Sequence, residues 1–385
     1  MIKSPAKKPH IVFLYSDTGG GHRSAAEAII EAIELEYPDK FTCEMVDFFL
    51  NYSPPPLNLA GPVYPSFSKM DTLWKFSFDR SDDSDRMRVI YAMFWPYIRL
   101  FLYKLLREHP CDMFVSVHPL INIPLLRAMR RREINKPYLI VVTDLVSTHA
   151  AWFASEASQI IIPTQQAVRK AIQANVKPDQ LKIIGLPVAD RFCKLVGEKN
   201  GIRKKLGWPK DKIILLLVGG GEGMGPLEEI SRAINDSKID AGLVVITGRN
   251  KKLKEKLENI KWAIPVHIYG FVKNMPDLMR AADILLTKAG PGTISEALIA
   301  GLPIILYHRI SGQEEGNVSY VTDEGAGVWA PATEDIIETL KNWIDNPTKR
   351  QEAVDNAKRL ARPDASREIA QEIASRLESI TDKIG

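Results

Sequence analysis

The sequence predicts an α/β chain built as two tandem doubly wound domains, each a parallel sheet covered by helices on both faces. Three observations carry this expectation. Short apolar runs recur along the 385 residues, each followed by a helical pattern, which is the βα alternation of a parallel sheet. Three of these runs, ending near residues 16, 218 and 287, lead into glycine-rich turns that open a helix. The chain is also too long for one ordinary core and suits two domains.

In the first half the expected strands are 11–16, 43–46, 113–117, 138–143 and 159–162, with a helix after the first that reaches about Glu36. Residues 51–85 form an atypical insertion rich in proline, serine and aromatics; a long stretch with so little periodicity is usually functional. Residues 86–107 hold five basic residues and no acid, interleaved with Tyr91, Phe94, Trp95, Tyr97, Phe101 and Tyr103. That pattern reads either as a membrane-surface element or as a core helix pair broken at Pro96 with solvated arginines. A linker is expected over 186–199. The second half then repeats the alternation, with strands at 213–218, 243–247, 266–269, 284–287 and 304–307 and helix from about 334 onward. The expected domains are therefore 1–194 and 195–365, with a final helix, 366–385, crossing back to the first.

Composition narrows the function classes. With 45% hydrophobic and 25% charged residues the chain is of ordinary globular type. Cys43, Cys111 and Cys193 have no CxxC spacing, and the seven histidines form no HxxxH or HxH pair, so neither a disulfide framework nor a dedicated metal site is expected. No secretory signal and no uncharged apolar run of about 18 residues is visible, which points to a cytosolic protein without a transmembrane anchor. Of the net charge of +4, all lies in residues 1–194, which hold 24 Lys+Arg against 20 Asp+Glu; residues 195–385 hold 27 of each. The basic surplus suits an anionic membrane surface. No nucleic-acid-binding motif accompanies it.

The glycine turns carry the chemistry. A strand, a glycine turn and a helix N-terminus present unpaired amides and a partial positive charge to an anion. Gly290, Pro291, Gly292 and Thr293 would form such a diphosphate cradle, with Gly221, Glu222 and Gly223 approaching from another strand end. The P-loop lysine is missing, so the cradle is not that of a Walker nucleotide hydrolase. For any single turn the plain alternative is a glycine that merely makes the bend.

The motifs SDTGGGHRSAAEAI (16–29), SVHPL (116–120), TDLVSTHAAW (143–152), GLPV (185–188), GGGEGMGP (219–226), TGRNKKL (247–253), YGFVKNM (269–275) and KAGPGTISEALIAGLPIILYHRISGQEEGN (288–317) resemble the monogalactosyldiacylglycerol synthases over roughly residues 10–330. The resemblance implies a GT-B fold of two Rossmann-like domains and an inverting, metal-independent transfer needing no cofactor. The donor would be UDP-hexose, galactose favoured over glucose, and the acceptor 1,2-diacylglycerol at the cytoplasmic face of the membrane. It further implies that the backbone of Phe271 and Val272 meets uracil, Glu296 the ribose hydroxyls, and Gln313, Glu314 and Asn317 the hexose, while Arg249 is either a phosphate contact or a surface residue. An alcohol acceptor calls for a general base. His22, beside Gly20 and Gly21 at a helix N-terminus whose dipole would keep the imidazole neutral, is the first candidate, and Asp144 the second. His118, His149 and Trp152 could orient the acceptor or simply support the fold. The chain departs from the plant enzymes in lacking a transit extension and in Thr148-His149-Ala150, which touches acceptor details more than donor chemistry. The alternatives are transfer to an isoprenoid-linked or other lipophilic acceptor, and a UDP-sugar epimerase or binding protein without transfer.

Overall fold

The computed structural model describes residues 8–17, 20–59, 71–194 and 197–384. Thr18 and Gly19 of the first glycine turn and residues 60–70 of the insertion lie outside the described residues. The chain divides into two compact units. One takes in the chain up to Asp190, Ser311–Gln313 and everything from Asp364 on; the other takes in Arg191–Ile310 and Glu314–Pro363.

The first unit holds a six-stranded, all-parallel sheet. Its strands are β1 (His10–Tyr15), β2 (Thr42–Asp47), β3 (Met113–Ser116), β4 (Tyr138–Val141), β5 (Gln159–Ile162) and β6 (Leu181–Ile183), in the order β2-β1-β3-β4-β5-β6. Side chains alternate across a strand, and here both faces are apolar because helices cover both. Val12, Leu14, Phe114, Ile140 and Ile160 pack with the helices Phe48–Tyr52, Ser84–Glu108 and Asn122–Arg131. Ile11, Phe13, Met113, Val115 and Leu139 pack on the opposite face with the helices Gly21–Glu36 and Ala365–Ile384. The first of these presents Ala25, Ala28, Ile29, Ala32 and Ile33 at helical spacing, small residues that let it lie close to the sheet. The C-terminal helix answers with Ile369, Ala370, Ile373 and Leu377. It is pinned by polar contacts as well: Ser366 Oγ donates to Val188 O (2.7 Å), Arg367 to Asp190 (2.9 Å) and Lys182 to Glu372 (2.6 Å).

The second unit repeats the plan with β7 (Ile213–Val218), β8 (Ala241–Ile246), β9 (Val266–Tyr269), β10 (Ile284–Lys288), β11 (Ile304–His308) and β12 (Gly327–Trp329), ordered β12-β11-β10-β7-β8-β9 and all parallel. In both sheets the chain leaves its first strand toward one edge and later returns to build the other. The strand order therefore reverses between β1 and β3 in one sheet and between β7 and β10 in the other. In open α/β sheets the crevice at such a reversal is where ligands bind.

The segment around Pro96 corrects the picture of a broken helix pair. Ser84–Glu108 is one continuous helix with Pro96 inside it. Met87, Tyr91, Trp95, Leu102, Leu105 and Leu106 are buried, while Val89, Met93, Phe94, Tyr97 and Leu100 are exposed. By length and composition this helix could cross a bilayer, something a search for uncharged runs does not detect.

Candidate active site

At the reversal of the first sheet stands His22, in the opening turn of the helix that follows β1. Its Nδ1 lies 2.8 Å from the Val117 carbonyl, just past β3, and 2.9 Å from Thr143 Oγ1, past β4. A carbonyl can only accept, so the proton sits on Nδ1 and the lone pair is left on Nε2. The ring is further boxed by His118 (centroids 4.5 Å apart) and Trp152 (6.1 Å). Burial lowers its pKa to about 4, against the opposing hydrogen bond to Val117, so the imidazole is neutral at physiological pH. The cause expected from sequence was the helix dipole; in the structure it is loss of hydration. Nor does His22 cap its own helix, whose N-cap Gly20 has φ +80° and receives no side-chain bond. A Cβ at Gly20 or Gly21 would meet nothing within 4 Å, so the turn faces open space.

The other candidates in this unit are drawn inward. Asp144 is buried, and its Oδ2 accepts from the Trp152 indole N–H at 2.6 Å. Trp152 itself is 0% exposed and packs in the core, the second of the two readings its sequence context allows. His118 accepts the Leu120 amide through Nδ1 and meets Phe48 and Phe49 edge-on, while burial holds it neutral. His149 does the same one loop later, accepting from Ala151 N–H at 3.1 Å with its Nε2 3.0 Å from Ser81 Oγ. Both histidines thus cap short 3-10 turns, at Pro119–Ile121 and Ala150–Trp152. Sequence reasoning did not single out Val117 and Thr143. Both lie in motifs quoted above, SVHPL and TDLVSTHAAW, but their meeting at one imidazole comes from the side-by-side ends of strands distant in sequence.

At the reversal of the second sheet two glycine turns meet. The helix Pro291–Ala300 follows β10, with Gly290 as N-cap and no side chain capping it. Its ladder opens with Ile294 N–H donating to Gly290 O, so the amides of Gly292 and Thr293 come before the first intrahelical bond. A Cβ at Gly292 would touch nothing within 4 Å. The turn after β7 is tightly seated instead. A Cβ at Gly223 (φ +61°) would stand 2.1 Å from Thr247 O, and one at Gly248 (φ +58°) 2.3 Å from Gly221 O. Gly223 is therefore a close-packing glycine, whereas Gly221 has only Arg249 nearby, at 3.7 Å.

Around this centre the remaining predicted residues fall into two sets. Arg249 pairs with Glu222 (2.6 Å) and lies over the exposed ring of Phe271 at 4.8 Å, next to half-buried Val272. Glu296 is one turn beyond the helix start and not a solvated first-turn acid: burial pushes its carboxyl up to about 8, with Arg191 opposing. Past β11, Gln313 is half-buried, but Glu314 is 3% exposed and turned inward. One of its oxygens accepts from Lys288 Nζ (2.6 Å), the other from Ile310 N–H (2.9 Å). Asn317 is 2% exposed and donates through Nδ2 to Ala289 O at 2.9 Å, beside Gly290. Lys288 was not singled out from sequence, although a lone basic residue ending an apolar strand just before a glycine turn is a visible signal.

Residues 22–188 match the family model described as monogalactosyldiacylglycerol (MGDG) synthase, and residues 214–376 the glycosyltransferase family 28 C-terminal domain. The chain is 37% identical over 379 residues to the chloroplastic monogalactosyldiacylglycerol synthase of Spinacia oleracea, covering 96% of this chain and 73% of that one. It is likewise 37% identical to monogalactosyldiacylglycerol synthase 1 of Arabidopsis thaliana, covering 94% and 70%. Among solved structures, Acinetobacter baumannii MurG superposes with a TM-score of 0.62 at 13% identity, covering 96% of this chain and all of that one. The UDP co-structure of S. aureus MnaA superposes at 0.64 and 16%, covering 97% and 98%. These structural likenesses establish the two-domain GT-B fold.

Proposed function

This chain belongs to the monogalactosyldiacylglycerol synthase family and is a glycosyltransferase, and we propose that it moves a hexose from UDP-hexose to the free hydroxyl of 1,2-diacylglycerol. The observation that carries the reading is the His22 ring: neutral, with Nδ1–H committed to a backbone carbonyl and Nε2 left as a base. In the proposed step Nε2 takes the proton of the acceptor hydroxyl and the oxygen attacks C1 of the hexose. The bond from C1 to the diphosphate oxygen breaks, and the configuration at C1 inverts to a β-glycoside. The charge that builds on the leaving diphosphate falls to the amides of Gly292 and Thr293 and the helix behind them, without a metal. Glu296 accepts the ribose hydroxyls and the backbone of Phe271 and Val272 meets the base. Gln313 contacts the hexose, which is galactose in preference to glucose.

The acceptor would be met at a membrane surface. Met93 (73% exposed) and Leu100 (65%) lie on the outer face of the helix Ser84–Glu108, with Phe94 and Tyr97 between them and Arg99, Lys104 and Arg107 alongside. An apolar stripe flanked by cations suits reversible binding to anionic lipid. One assay tests the whole reading. UDP-galactose and UDP-glucose compete for dispersed diacylglycerol in the presence of a chelator, with the anomeric configuration of the product determined. Faster galactosyl transfer and a β-linked product are expected. Loss of all transfer on chelation sinks the metal-free step, and turnover of the donor without acceptor moves the protein to the epimerase class.

A further inference from the structure

We propose that Lys288 is the cation of the donor site, a buried ammonium that binds the diphosphate and is held in readiness by Glu314; this rests on the reading of the second unit as the UDP-hexose site. Lys288 closes β10, and its side chain is 17% exposed against 4% for Glu314. The ammonium lies where both glycine turns converge. A Cβ at Gly290 would stand 3.1 Å from Lys288 Nζ, and one at Gly220 would stand 3.5 Å from its Cε. The missing side chains are what let an ammonium lie flush with two sets of backbone amides.

Taking a lysine and a carboxylate out of water is costly, and two apolar residues would fill the same space without that cost. A buried pair at the reversal of the sheet therefore asks for a use. Glu314 is fixed from its other side by Ile310 N–H, so it restrains the ammonium without following it. An ammonium has three donors, and Glu314 takes one. Asn317, bonded to Ala289 beside the same turn, keeps a buried Oδ1 with no hydrogen-bond partner among the described residues, an acceptor suited to a sugar hydroxyl next to the diphosphate. A point charge at this place does for the leaving diphosphate what a bound divalent ion does in other transferases.

The test is calorimetric binding of UDP and of uridine to the full chain, which separates this inference from the transfer reaction. Lys288→Met is expected to weaken UDP about ten- to a hundredfold, the size of one charge-assisted contact, and to leave uridine unchanged. Glu314→Gln, which releases the ammonium from its carboxylate, should bind UDP no more weakly than the native chain. Should Lys288→Met fail to fold, the Lys288→Met/Glu314→Gln double variant leaves no unpaired buried charge and should show the same selective loss. UDP affinity within twofold of native in the lysine variants overturns the proposal, as does a parallel loss in Glu314→Gln, the mark of a pair that only supports the fold. A native chain that binds no UDP overturns instead the donor-site reading beneath it.

Discussion

His22 carries two pH signatures that an ordinary histidine lacks. The proposed base must be neutral, and with its pKa lowered to about 4 His22 stays so through the mildly acidic range. The acid limb of kcat/KM should therefore not show the usual inflection near 6.5. His22→Ala should lose about 10²–10⁴-fold in turnover while keeping UDP affinity, since its contacts lie in the first unit; near-native turnover in steady-state kinetics removes it from the role. Stability follows the same sign. In the unfolded chain the histidine takes its proton near 6.5 and in the folded chain only near 4, so acid favours unfolding. The penalty begins as pH falls through 6.5 and is complete below about 4, at about 3 kcal/mol. Thermal melts of His22→Ala should depend less on pH between 7 and 5 than native melts, though not lose the dependence, because buried His118 titrates with the same sign. Glu296 runs the other way. Its carboxyl is raised to about 8, and the ionised form is the better acceptor of a diol. UDP affinity should rise with pH up to about 8, by at most about tenfold per unit, and calorimetry on Glu296→Gln should find that slope gone. His22 drew notice in the sequence as a histidine just after a glycine turn, and Glu296 through the family resemblance. Their shifts were not legible there, since burial depends on what distant strands bring alongside.

Helices and turns separate the glycines that close packing requires from the glycines that face open space. Gly223→Ala combines a left-handed backbone with a Cβ driven into Thr247 O and should cost about 2–4 kcal/mol or prevent folding. Gly292→Ala meets open space and should stay within about 0.5 kcal/mol of native stability, losing UDP affinity instead. Denaturant melts and calorimetry on the pair decide it; equal stability in the two variants refutes the distinction. The sequence showed three glycine turns but could not sort them, because the sorting depends on which neighbouring loop lies against each. Strands followed similar logic. The apolar runs behind β1 and β7 were plain to read, whereas β6 (Leu181–Ile183) and β12 (Gly327–Trp329) escaped, being three-residue edge strands with no run to announce them. The helix Ser84–Glu108 was legible in composition and misjudged in continuity: Trp95 and Leu102 anchor it to the core on either side of Pro96, which offsets the hydrogen bond that proline removes. Replacing Arg99, Lys104 and Arg107 together should weaken sedimentation with anionic liposomes, and added salt should do the same to the native chain. Unchanged binding in the triple variant removes the cationic flank from any role at a membrane.

For the molecule as a whole, repetition made the fold predictable: two sheets of six parallel strands, each reversing its order beside its first strand. Length and alternation were enough to expect that. The chain's path between the units matters more for its behaviour. The helix Ala365–Ile384 completes the first unit, filling its core with Ile369, Ile373 and Leu377. Deleting it uncovers the far face of β1, β3 and β4, at about 1.5–3 kcal/mol for each of these side chains. Circular dichroism of a chain stopped at Pro363 should show the first unit unfolded or molten, and a native-like melt would mean the helix is dispensable.

That return has a consequence in the order of synthesis. A ribosome delivers the six strands of the first unit early, but the helix that seals one face of their sheet emerges only after the second unit. At ~5–20 residues per second the delay is on the order of ten seconds or more. Through that interval the nascent chain carries an unsealed apolar sheet together with the exposed stripe on Ser84–Glu108. That apolar surface is open to aggregation until the helix Ala365–Ile384 docks on it.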